Sequence, residues 1–475
     1  MSVSVASPPE STSLLTALGA GLPPDALLTG DAERALHSRD AAPFGVAGRP
    51  AVVVLPETVE QVRHVVRTAR ALGVPVVPQG ARTGLAGAAN AVDGCVVLSL
   101  VRMDRVLEID TANRLVRCEP GVVTADLAAA VARHGLCYPP DPASWETCTI
   151  GGNIATGAGG LCCVKYGVTA DYVLGLTVVL ADGEILRTGR RTVKGVAGYD
   201  LTRLFVGSEG TLGVIVEATL ALRPSRPPEL ALLARFGSAA DAGEAVAAIV
   251  RAGHTPSALE LMDRTTTAAV AALGHPLLAD DAGREAATLI VASDAPDAPE
   301  RLAEMAGLCR EAKALSVTVA ADAAETRGVL DARRMVMPAL TARAREVAGE
   351  AAAFIEDVAV PRDRLAALVD RIEEIAEEYG LYIATAGHAG DGNLHPAVVF
   401  DRSDPDAVRR AEEAYDAIMA AGLELGGTIT GEHGVGVLKR DWLERELPAR
   451  NLRLQQDIKR LLDPEGLLNP GKVLA

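Results

Sequence analysis

Three glycine-rich strings, each close to an apolar run, constrain the fold of this chain more than any other feature. They occupy residues 80–87, 149–160 and 207–215. Glycine lets backbone N–H groups surround a phosphate without side-chain interference, so such loops suit a pyrophosphate in a chain without a Lys-Ser/Thr phosphate loop. Each string alone is also typical of an ordinary turn. Together they predict a dinucleotide site, and the lack of a Gly-x-Gly-x-x-Gly string opening a helix after the first strand disfavours a nicotinamide Rossmann site.

The order of apolar runs predicts two kinds of folded domain. Residues 51–55, 59–72 and 74–78 have the pattern of a strand, an amphipathic helix and a strand, which is an α/β unit. Further strands are predicted at residues 95–100, 106–110, 115–118, 173–180 and 212–222, with a helix at 124–134. The string RPSRPP at residues 223–228 breaks regular structure and marks a domain boundary. Beyond it, strands alternate with long helices, as expected for an antiparallel sheet covered on one face.

Composition excludes several classes of protein. With 62 acidic and 46 basic residues the net charge is −16, which argues against a nucleic-acid surface or a polybasic membrane anchor. The seven cysteines form neither a disulfide framework nor an iron–sulfur motif. No apolar run is long enough to span a membrane, and the N-terminus lacks a signal pattern. We therefore expect a cytoplasmic protein, and a length of 475 residues suggests two or three domains.

Two histidine strings, GHAGDGNLHP at residues 387–396 and GEHGVG at 431–436, predict a catalytic metal site. The apolar runs flanking Asp391-Gly392 indicate a hairpin that brings His388 and His395 to neighbouring positions on facing strands. With Glu432 they form a set of two imidazoles and a carboxylate, which suits Zn²⁺ or a similar divalent metal and leaves one coordination position open. His433 is then available as a base. For a single histidine, burial as a satisfied core residue is the competing interpretation.

Longer strings carry a family resemblance. They are QGARTGLAGAA from Gln79, PPDPASWETCTIGGNIATGAGG from Pro139, VKGVAGYDLTRLFVGSEGTLGVI from Val193, the histidine strings and the terminal NPGK. From about residue 40 to the end, the chain closely resembles the FAD-linked oxidases of the vanillyl-alcohol oxidase and p-cresol methylhydroxylase superfamily. It is most similar to the branch that holds the glycolate oxidase flavin subunit, D-lactate dehydrogenase and D-2-hydroxyglutarate dehydrogenase.

The resemblance implies an α+β fold. It consists of a two-subdomain FAD-binding domain of the p-cresol methylhydroxylase type and an antiparallel-sheet cap domain with helices on one face. The expected limits are 1–44 for an N-terminal tail and helical lead-in, 45–223 for the FAD-binding domain, 224–424 for the substrate-binding cap with the metal hairpin, and 425–475 for a C-terminal segment closing on the FAD domain.

The resemblance also assigns flavin contacts, residue by residue. The matching positions are Pro78, Gly80, Ala81, Arg82, Thr83, Gly84 and Leu85 in the first loop, Pro140, Asp141, Thr149, Gly152, Asn153, Ala155 and Thr156 in the second, Gly213 and Ile215 beside the adenine and ribose, and Asn469 near the flavin. Arg82 stands where a glycine is usual. Asp141 suits a ligand contact and a turn equally well. Because the first loop contains no histidine, we expect FAD to be bound non-covalently.

The chemistry implied is oxidation of a 2-hydroxy acid. A metal would lower the pKa of the substrate hydroxyl, His433 would take its proton, and the flavin would accept hydride. Arg333 matches the family's arginine that binds the substrate carboxylate, with Arg334 beside it as the rival. The stretches around Ile355-Glu356 and Pro396-Ala397 offer no cation for a second carboxylate. A short D-2-hydroxy acid, D-lactate or glycolate, is therefore favoured over hydroxyglutarate.

Partners and alternatives follow from the same resemblance. Electrons would pass to an external acceptor, which is a cytochrome, a quinone, an electron-transfer flavoprotein or an iron–sulfur subunit. A homodimer and a peripheral attachment to the membrane through a partner are compatible with this interpretation. The competing functions are a glycolate oxidase flavin subunit active only with an iron–sulfur partner, a D-2-hydroxyglutarate dehydrogenase, a non-redox flavoprotein like the alkyl-dihydroxyacetonephosphate synthases, and a zinc hydrolase.

Overall fold

The computed structural model describes residues 11–278, 286–347 and 351–474. The chain forms two compact units. Unit 1 comprises Met1–Gly159, Val168–Ser225 and Glu432–Ala475, and unit 2 comprises Gly160–Gly167 and Arg226–Gly431. The domain limits expected at residues 45, 224 and 425 remain predictions.

The α-helices of the described chain number seventeen. They are α1 (Ser11–Gly19), α2 (Asp31–Leu36), α3 (Val59–Ala71), α4 (Thr124–Ala132), α5 (Ile150–Thr156), α6 (Cys163–Tyr166), α7 (Thr169–Tyr172), α8 (Thr202–Phe205), α9 (Ala239–Arg251), α10 (Arg264–Ala272), α11 (Ala298–Glu311), α12 (Ala323–Arg334), α13 (Val336–Val347), α14 (Leu365–Tyr379), α15 (Pro405–Glu424), α16 (Arg440–Glu446) and α17 (Ala449–Leu462).

The strands of the described chain number nineteen. They are β1 (Leu27–Leu28), β2 (Val52–Val54), β3 (Val76–Gln79), β4 (Val96–Ser99), β5 (Val106–Asp110), β6 (Leu115–Cys118), β7 (Leu136–Cys137), β8 (Val173–Val179), β9 (Ile185–Gly189), β10 (Val214–Ala221), β11 (Arg223–Pro224), β12 (Leu230–Phe236), β13 (Ala258–Met262), β14 (Ala287–Ser293), β15 (Ser316–Val319), β16 (Ala351–Ile355), β17 (Val358–Ala359), β18 (Tyr382–His388) and β19 (Asn393–Asp401).

Unit 1 contains two main sheets. The first has the order β1-β2-β4-β3, in which β2, β4 and β3 are parallel and β1 is an antiparallel edge. The amphipathic helix α3, capped by Thr58, buries Val62, Val65 and Val66 in the core beside this sheet. A parallel pair of strands needs a crossover connection, and a helix supplies it. The strand, helix and strand predicted from residues 51 to 78 are confirmed.

The second sheet of unit 1 is antiparallel, with the order β5-β6-β10-β8-β9. Its centre is β10, whose side chains at Val214, Val216, Ala218 and Leu220 are buried. From Val216 onward, burial alternates with a period of two residues, as expected for a strand with one face in the core and the other partly exposed. The strands and the helix predicted between residues 95 and 222 are present, with ends that differ by a few residues.

Unit 2 is built on one antiparallel sheet with the order β15-β12-β14-β13-β18-β19-β16, and β17 also pairs with β19. Alternate residues of β12 serve opposite faces. Ala231 and Leu233 belong to a core with residues of α10, α12 and α13, whereas Leu232 and Ala234 are equally buried on the other face. The α+β class and the antiparallel sheet are confirmed, and α9 and α11 also contact β12 and β14, so helices lie on both faces of the sheet.

Candidate functional site

A large cavity in unit 1 is formed by the three glycine-rich loops. Its empty volume is about 1290 Å³, part of it open to solvent. Fourteen of the predicted flavin contacts line it: Pro78, Gly80, Ala81, Arg82, Thr83, Gly84, Leu85, Thr149, Gly152, Asn153, Ala155, Thr156, Gly213 and Ile215. The lining residues in the described chain do not include Pro140, Asp141 or Asn469. The structure therefore brings most of the predicted loop residues to one space.

Close packing explains why the first loop begins with glycine. A Cβ atom at Gly80 would lie 2.3 Å from Thr149 Oγ1. That hydroxyl caps α5 by accepting a hydrogen bond from the Gly152 N–H at 3.4 Å. The turn after β3 thus passes directly over the start of α5, and a larger residue would push the two loops apart.

A buried glutamate in the third loop, Glu209, connects several parts of the cavity wall. Its carboxylate accepts hydrogen bonds from the N–H groups of Val435 at 2.6 Å and Gly436 at 2.8 Å. Burial raises the pKa of Glu209 to about 7, although these two hydrogen bonds act in the opposite direction. Sequence reasoning missed this residue. Its position between two glycines in the GSEGTLG string was the available signal.

The predicted residue Asn469 acts on the cavity indirectly. Its side-chain amide donates to the backbone oxygens of Ala88 at 2.9 Å and Glu209 at 2.6 Å. Both acceptors belong to residues that line the cavity. Asn469 of the terminal NPGK string is therefore hydrogen-bonded to two of the glycine-rich segments.

The second histidine string contributes two side chains to the same cavity. Glu432 and His433 both line it, and the Glu432 Oε1 and His433 Nε2 atoms lie 4.0 Å apart. A Cβ atom at Gly159 would lie 2.3 Å from Glu432 Oε2, so the end of the second loop admits this carboxylate only because residue 159 is glycine. An acid and an imidazole are thus placed beside the predicted flavin loops within unit 1.

The predicted histidine hairpin is present in unit 2. Strands β18 and β19 pair so that His395 faces Ala386, two residues before His388. Because side chains alternate along a strand, both histidines lie on one face, and their ring centroids are 5.1 Å apart. The connection has four residues, 389–392, so Asp391-Gly392 is only its second half, and His388 is the last residue of β18.

Hydrogen bonds fix the orientation of both imidazoles. His388 Nδ1 lies 2.7 Å from Glu260 Oε1, and His395 Nδ1 lies 3.2 Å from the backbone oxygen of Glu356. Both partners are acceptors, so each ring donates from Nδ1. A carboxylate or carbonyl behind a histidine is the usual arrangement around a metal ligand. Sequence reasoning missed Glu260, which faces His388 across the β13–β18 pair.

The same carboxylate orients Arg333. Arg333 Nε donates to Glu260 Oε2 at 2.8 Å, and the Arg333 side chain is only 16% exposed. Burial raises the pKa of Glu260, but the interactions with His388 and Arg333 outweigh it and lower that pKa below its usual value. Arg334 instead pairs with Asp331 and is 68% exposed. Of the two rival arginines, Arg333 is the one placed beside the histidine pair.

Two further residues hold the segment that enters the second histidine string. The buried Asp357 carboxylate accepts hydrogen bonds from Thr430 Oγ1 at 2.6 Å and the Gly431 N–H at 2.9 Å. A Cβ atom at Gly431 would lie 2.5 Å from the side chain of Asn393, which explains glycine at that position. Both interactions lie within unit 2, where they fix the end of the chain segment before Glu432.

In the part of the chain that the structure describes, none of the helices has both the length and the apolar character needed to cross a membrane.

Comparison with known proteins identifies two family matches and several relatives. Residues 50–189 match the family described as FAD binding domain, and residues 228–473 match the family described as FAD linked oxidases, C-terminal domain. The glycolate oxidase subunit GlcD of Bacillus subtilis is 40% identical over 450 residues, which cover 94% of this chain and 93% of that protein. The D-lactate dehydrogenase of Archaeoglobus fulgidus is 37% identical over 444 residues, covering 92% and 94%.

Solved structures agree on the fold. p-Cresol methylhydroxylase with substrate bound aligns with a TM-score of 0.79 at 19% identity, covering 97% of this chain and 96% of that one. Alkyldihydroxyacetonephosphate synthase aligns with a TM-score of 0.76 at 19% identity, covering 98% and 87%. The predicted p-cresol methylhydroxylase type of fold is confirmed. The domain matches and the identity over nearly the whole chain show that it belongs to the FAD-linked oxidases and is an FAD-dependent oxidoreductase.

Proposed function

We propose that this FAD-linked oxidase converts a short D-2-hydroxy acid, D-lactate or glycolate, into the 2-oxo acid and passes the electrons to an external acceptor. The observation that carries this proposal is the Glu260 bridge in unit 2, which holds a guanidinium and an imidazole on one carboxylate. Arg333 could bind a carboxylate, and the neighbouring histidine pair could bind a metal that contacts a hydroxyl. This arrangement suits a substrate with a carboxylate next to a hydroxyl. Relatives named glycolate oxidase subunit and D-lactate dehydrogenase support the same substrate class.

The unit 1 cavity fits non-covalent FAD. Backbone from three glycine-rich loops surrounds it, and its walls are largely apolar, as expected for an elongated dinucleotide with one charged section. The first loop has no histidine for a covalent link. When bound, FAD supplies the hydride acceptor. The loops would hold its pyrophosphate, and the β10 residue Ile215 would lie along the nucleoside.

Arg333 would bind the substrate carboxylate. Its Nε is committed to Glu260, so the two terminal nitrogens form the fork that matches a planar carboxylate. Because Glu260 also holds His388, the spacing between the carboxylate-binding group and the histidine pair is set by one buried side chain. This arrangement would orient the C2 hydroxyl of the substrate.

We propose that His388, His395 and Glu432 bind a divalent metal, with zinc favoured. Each of the two rings is oriented by a hydrogen bond from its Nδ1 within unit 2, and Glu432 lines the cavity of unit 1. Two imidazole nitrogens and one carboxylate oxygen are a typical donor set of catalytic zinc. When bound, the metal would lower the pKa of the substrate hydroxyl. His433, which lines the same cavity as Glu432, would accept the hydroxyl proton on a ring nitrogen.

The substrate is proposed to be short because Ile355-Glu356 and Pro396-Ala397 offer no cation for a second carboxylate. Ile355 pairs with Ala397 on the neighbouring strand, and Glu356 is a buried carboxylate that would repel a second anionic group. Hydroxyglutarate is therefore expected to bind less well than lactate or glycolate. A hydrolase function is disfavoured by membership of an FAD-linked oxidase family.

Anaerobic mixing tests the main proposal. The FAD-loaded protein is mixed with D-lactate, L-lactate, glycolate and D-2-hydroxyglutarate, and the flavin absorbance near its visible maximum is followed. We expect rapid bleaching by D-lactate or glycolate and a much slower response to L-lactate. If no hydroxy acid reduces a fully loaded flavin, the proposal is wrong and a non-redox role gains support.

A parallel experiment tests the metal and the acceptor. Chelation should remove a stoichiometric divalent ion and abolish bleaching, and added Zn²⁺ should restore it. Full reduction by the chelated, metal-free protein would contradict the metal assignment. Because the Bacillus subtilis relative is named as a subunit, a flavin subunit that needs a partner is the second candidate. Turnover of the isolated chain with an artificial dye acceptor, combined with gel filtration, distinguishes a self-sufficient enzyme from that candidate.

A further inference from the structure

The charged side chains that line the unit 1 cavity are mostly acidic. In the described part of the chain they are the carboxylates of Asp40, Glu209 and Glu432 and the guanidinium of Arg82. A pyrophosphate carries negative charge, so a wall with three acidic groups would oppose its entry unless a cation compensated for them. Arg82 is the permanently charged cation of this wall.

The backbone of Arg82 has the conformation of a glycine. Its φ angle is +60°, in the left-handed region that non-glycine residues rarely adopt. A glycine would fit this turn without strain, and a glycine is usual at this position in the resembling family. Strained residues of this kind persist where the surroundings fix them, and they concentrate at ligand-binding sites. The side chain of Arg82 is therefore retained here against a conformational cost.

A buried imidazole lies beside the guanidinium. Arg82 Nη1 lies 3.0 Å from Nδ1 of His37, which is only 7% exposed. Gln79 Nε2 donates to the backbone oxygens of His37 at 2.9 Å and Ala89 at 2.7 Å, so Gln79 Oε1 accepts a hydrogen bond from His37 Nδ1 at 3.0 Å. Burial and the nearby Arg82 charge lower the pKa of His37, which keeps this ring neutral beside the guanidinium.

An imidazole neighbour has a different consequence from a salt bridge. A carboxylate partner would cancel the charge of Arg82, whereas His37 donates to Gln79 and leaves the charge and the N–H groups of Arg82 available to a ligand. No carboxylate within ion-pair distance of Arg82 is found among the described residues. A guanidinium offers several N–H donors in a planar fork that matches phosphate oxygens.

We propose that Arg82 is a cationic ligand of the FAD pyrophosphate, added to a loop whose glycines otherwise act through backbone N–H groups. This inference rests on FAD as the cofactor. It adds that the side chain of Arg82 contributes to FAD affinity. Removing Arg82 should weaken FAD binding while relieving backbone strain, so affinity and stability should change in opposite directions.

The test uses Arg82→Gly with Arg114→Gly as its matched control. Arg114 is an exposed residue of unit 1 outside the cavity, and its φ angle is also positive, at 51°. Both substitutions remove one arginine and relieve a left-handed residue. FAD is titrated into the FAD-free proteins at several KCl concentrations, and Kd is measured from quenching of flavin fluorescence. A thermal melt of each FAD-free protein reports stability.

The expected results differ between the two variants. Both should melt at or slightly above the temperature of the parent. Arg82→Gly should weaken FAD binding about tenfold to hundredfold, the range of a lost charge-assisted hydrogen bond, and should bind with a flatter dependence on KCl. Arg114→Gly should leave the FAD Kd and its salt dependence unchanged. Equal FAD affinity of the parent and Arg82→Gly at low salt would overturn the inference.

A second probe locates the contact on the pyrophosphate. ADP, which carries the adenosine and the pyrophosphate without the flavin, is used to compete with FAD for the parent and for Arg82→Gly. Loss of ADP affinity by the same factor as FAD supports the assignment, and unchanged ADP affinity contradicts it. If the parent itself binds no FAD, it is the proposed cofactor function that fails, and that result is distinct from failure of the Arg82 inference alone.

Discussion

The buried carboxylate of Glu209 makes the stability of unit 1 depend on pH. Its pKa is raised from 4.5 to about 7, chiefly by burial. At 1.36 kcal/mol for each pH unit of displacement, ionising this group costs the folded state about 3 kcal/mol relative to the unfolded chain. Since the folded pKa is the higher one, the contribution is fully present below pH 4.5 and is lost as the pH rises through 7. Glu209→Gln, which cannot ionise, should lack this loss.

Tryptophan fluorescence can measure the effect in unit 1 alone. The chain has two tryptophans, Trp145 and Trp442, and both belong to unit 1. Urea unfolding of the FAD-free protein at pH 5, 6, 7 and 8.5 gives the free energy of unfolding for the parent and for Glu209→Gln. We expect the parent to lose about 2.5 kcal/mol relative to the variant between pH 5 and 8.5, because part of the effect is already lost at pH 5. The exposed Glu184→Gln is the control and should follow the parent at every pH.

Hydrogen exchange gives an independent measurement of the same contact. The ionised carboxylate accepts from two backbone N–H groups, whereas glutamine has only one acceptor oxygen. Exchange in a peptide covering residues 432–438 should therefore be faster in Glu209→Gln at pH 8. A stability difference that stays constant across the pH series, together with unchanged exchange, would refute the role assigned to Glu209.

Four other substitutions test the site. Glu260→Gln should raise KM for the hydroxy acid about tenfold and lower the metal content, because Glu260 orients both Arg333 and His388. Steady-state kinetics with a dye acceptor measure KM, and elemental analysis measures the metal. Gly80→Ala places a methyl group 2.3 Å from a neighbouring hydroxyl and should destabilise unit 1 by about 1–3 kcal/mol and weaken FAD binding, as seen by melting and titration. His433→Ala should retain FAD and lose flavin reduction, whereas His388→Ala should lose activity together with metal. A His388 variant that kept both would contradict the ligand assignment.

Local features of the sequence were sufficient for much of the fold. The apolar period of helix α3 predicted its limits to within one residue, and the glycine-rich strings predicted loops that meet at one cavity. The hairpin of β18 and β19 was predicted from its turn signal. These features depend on neighbours within a few residues, so periodicity and turn chemistry encode them directly.

Contacts between distant segments needed the tertiary structure. Glu260 lies 128 residues from His388 along the chain, and only the pairing of β13 with β18 places the two side chains opposite each other. Whether Arg333 or Arg334 turned towards the histidines was decided by packing of α12 on the sheet of unit 2. Periodicity could not predict that helices lie on both faces of that sheet, because a fully buried strand is apolar whichever elements cover it.

The sequence by itself therefore determined the family, the cofactor class and the residue types available for chemistry. It did so because glycine, histidine and turn signals act over short distances. Only the tertiary structure decided which carboxylates accompany them, because strand register and helix packing are global properties of the folded chain.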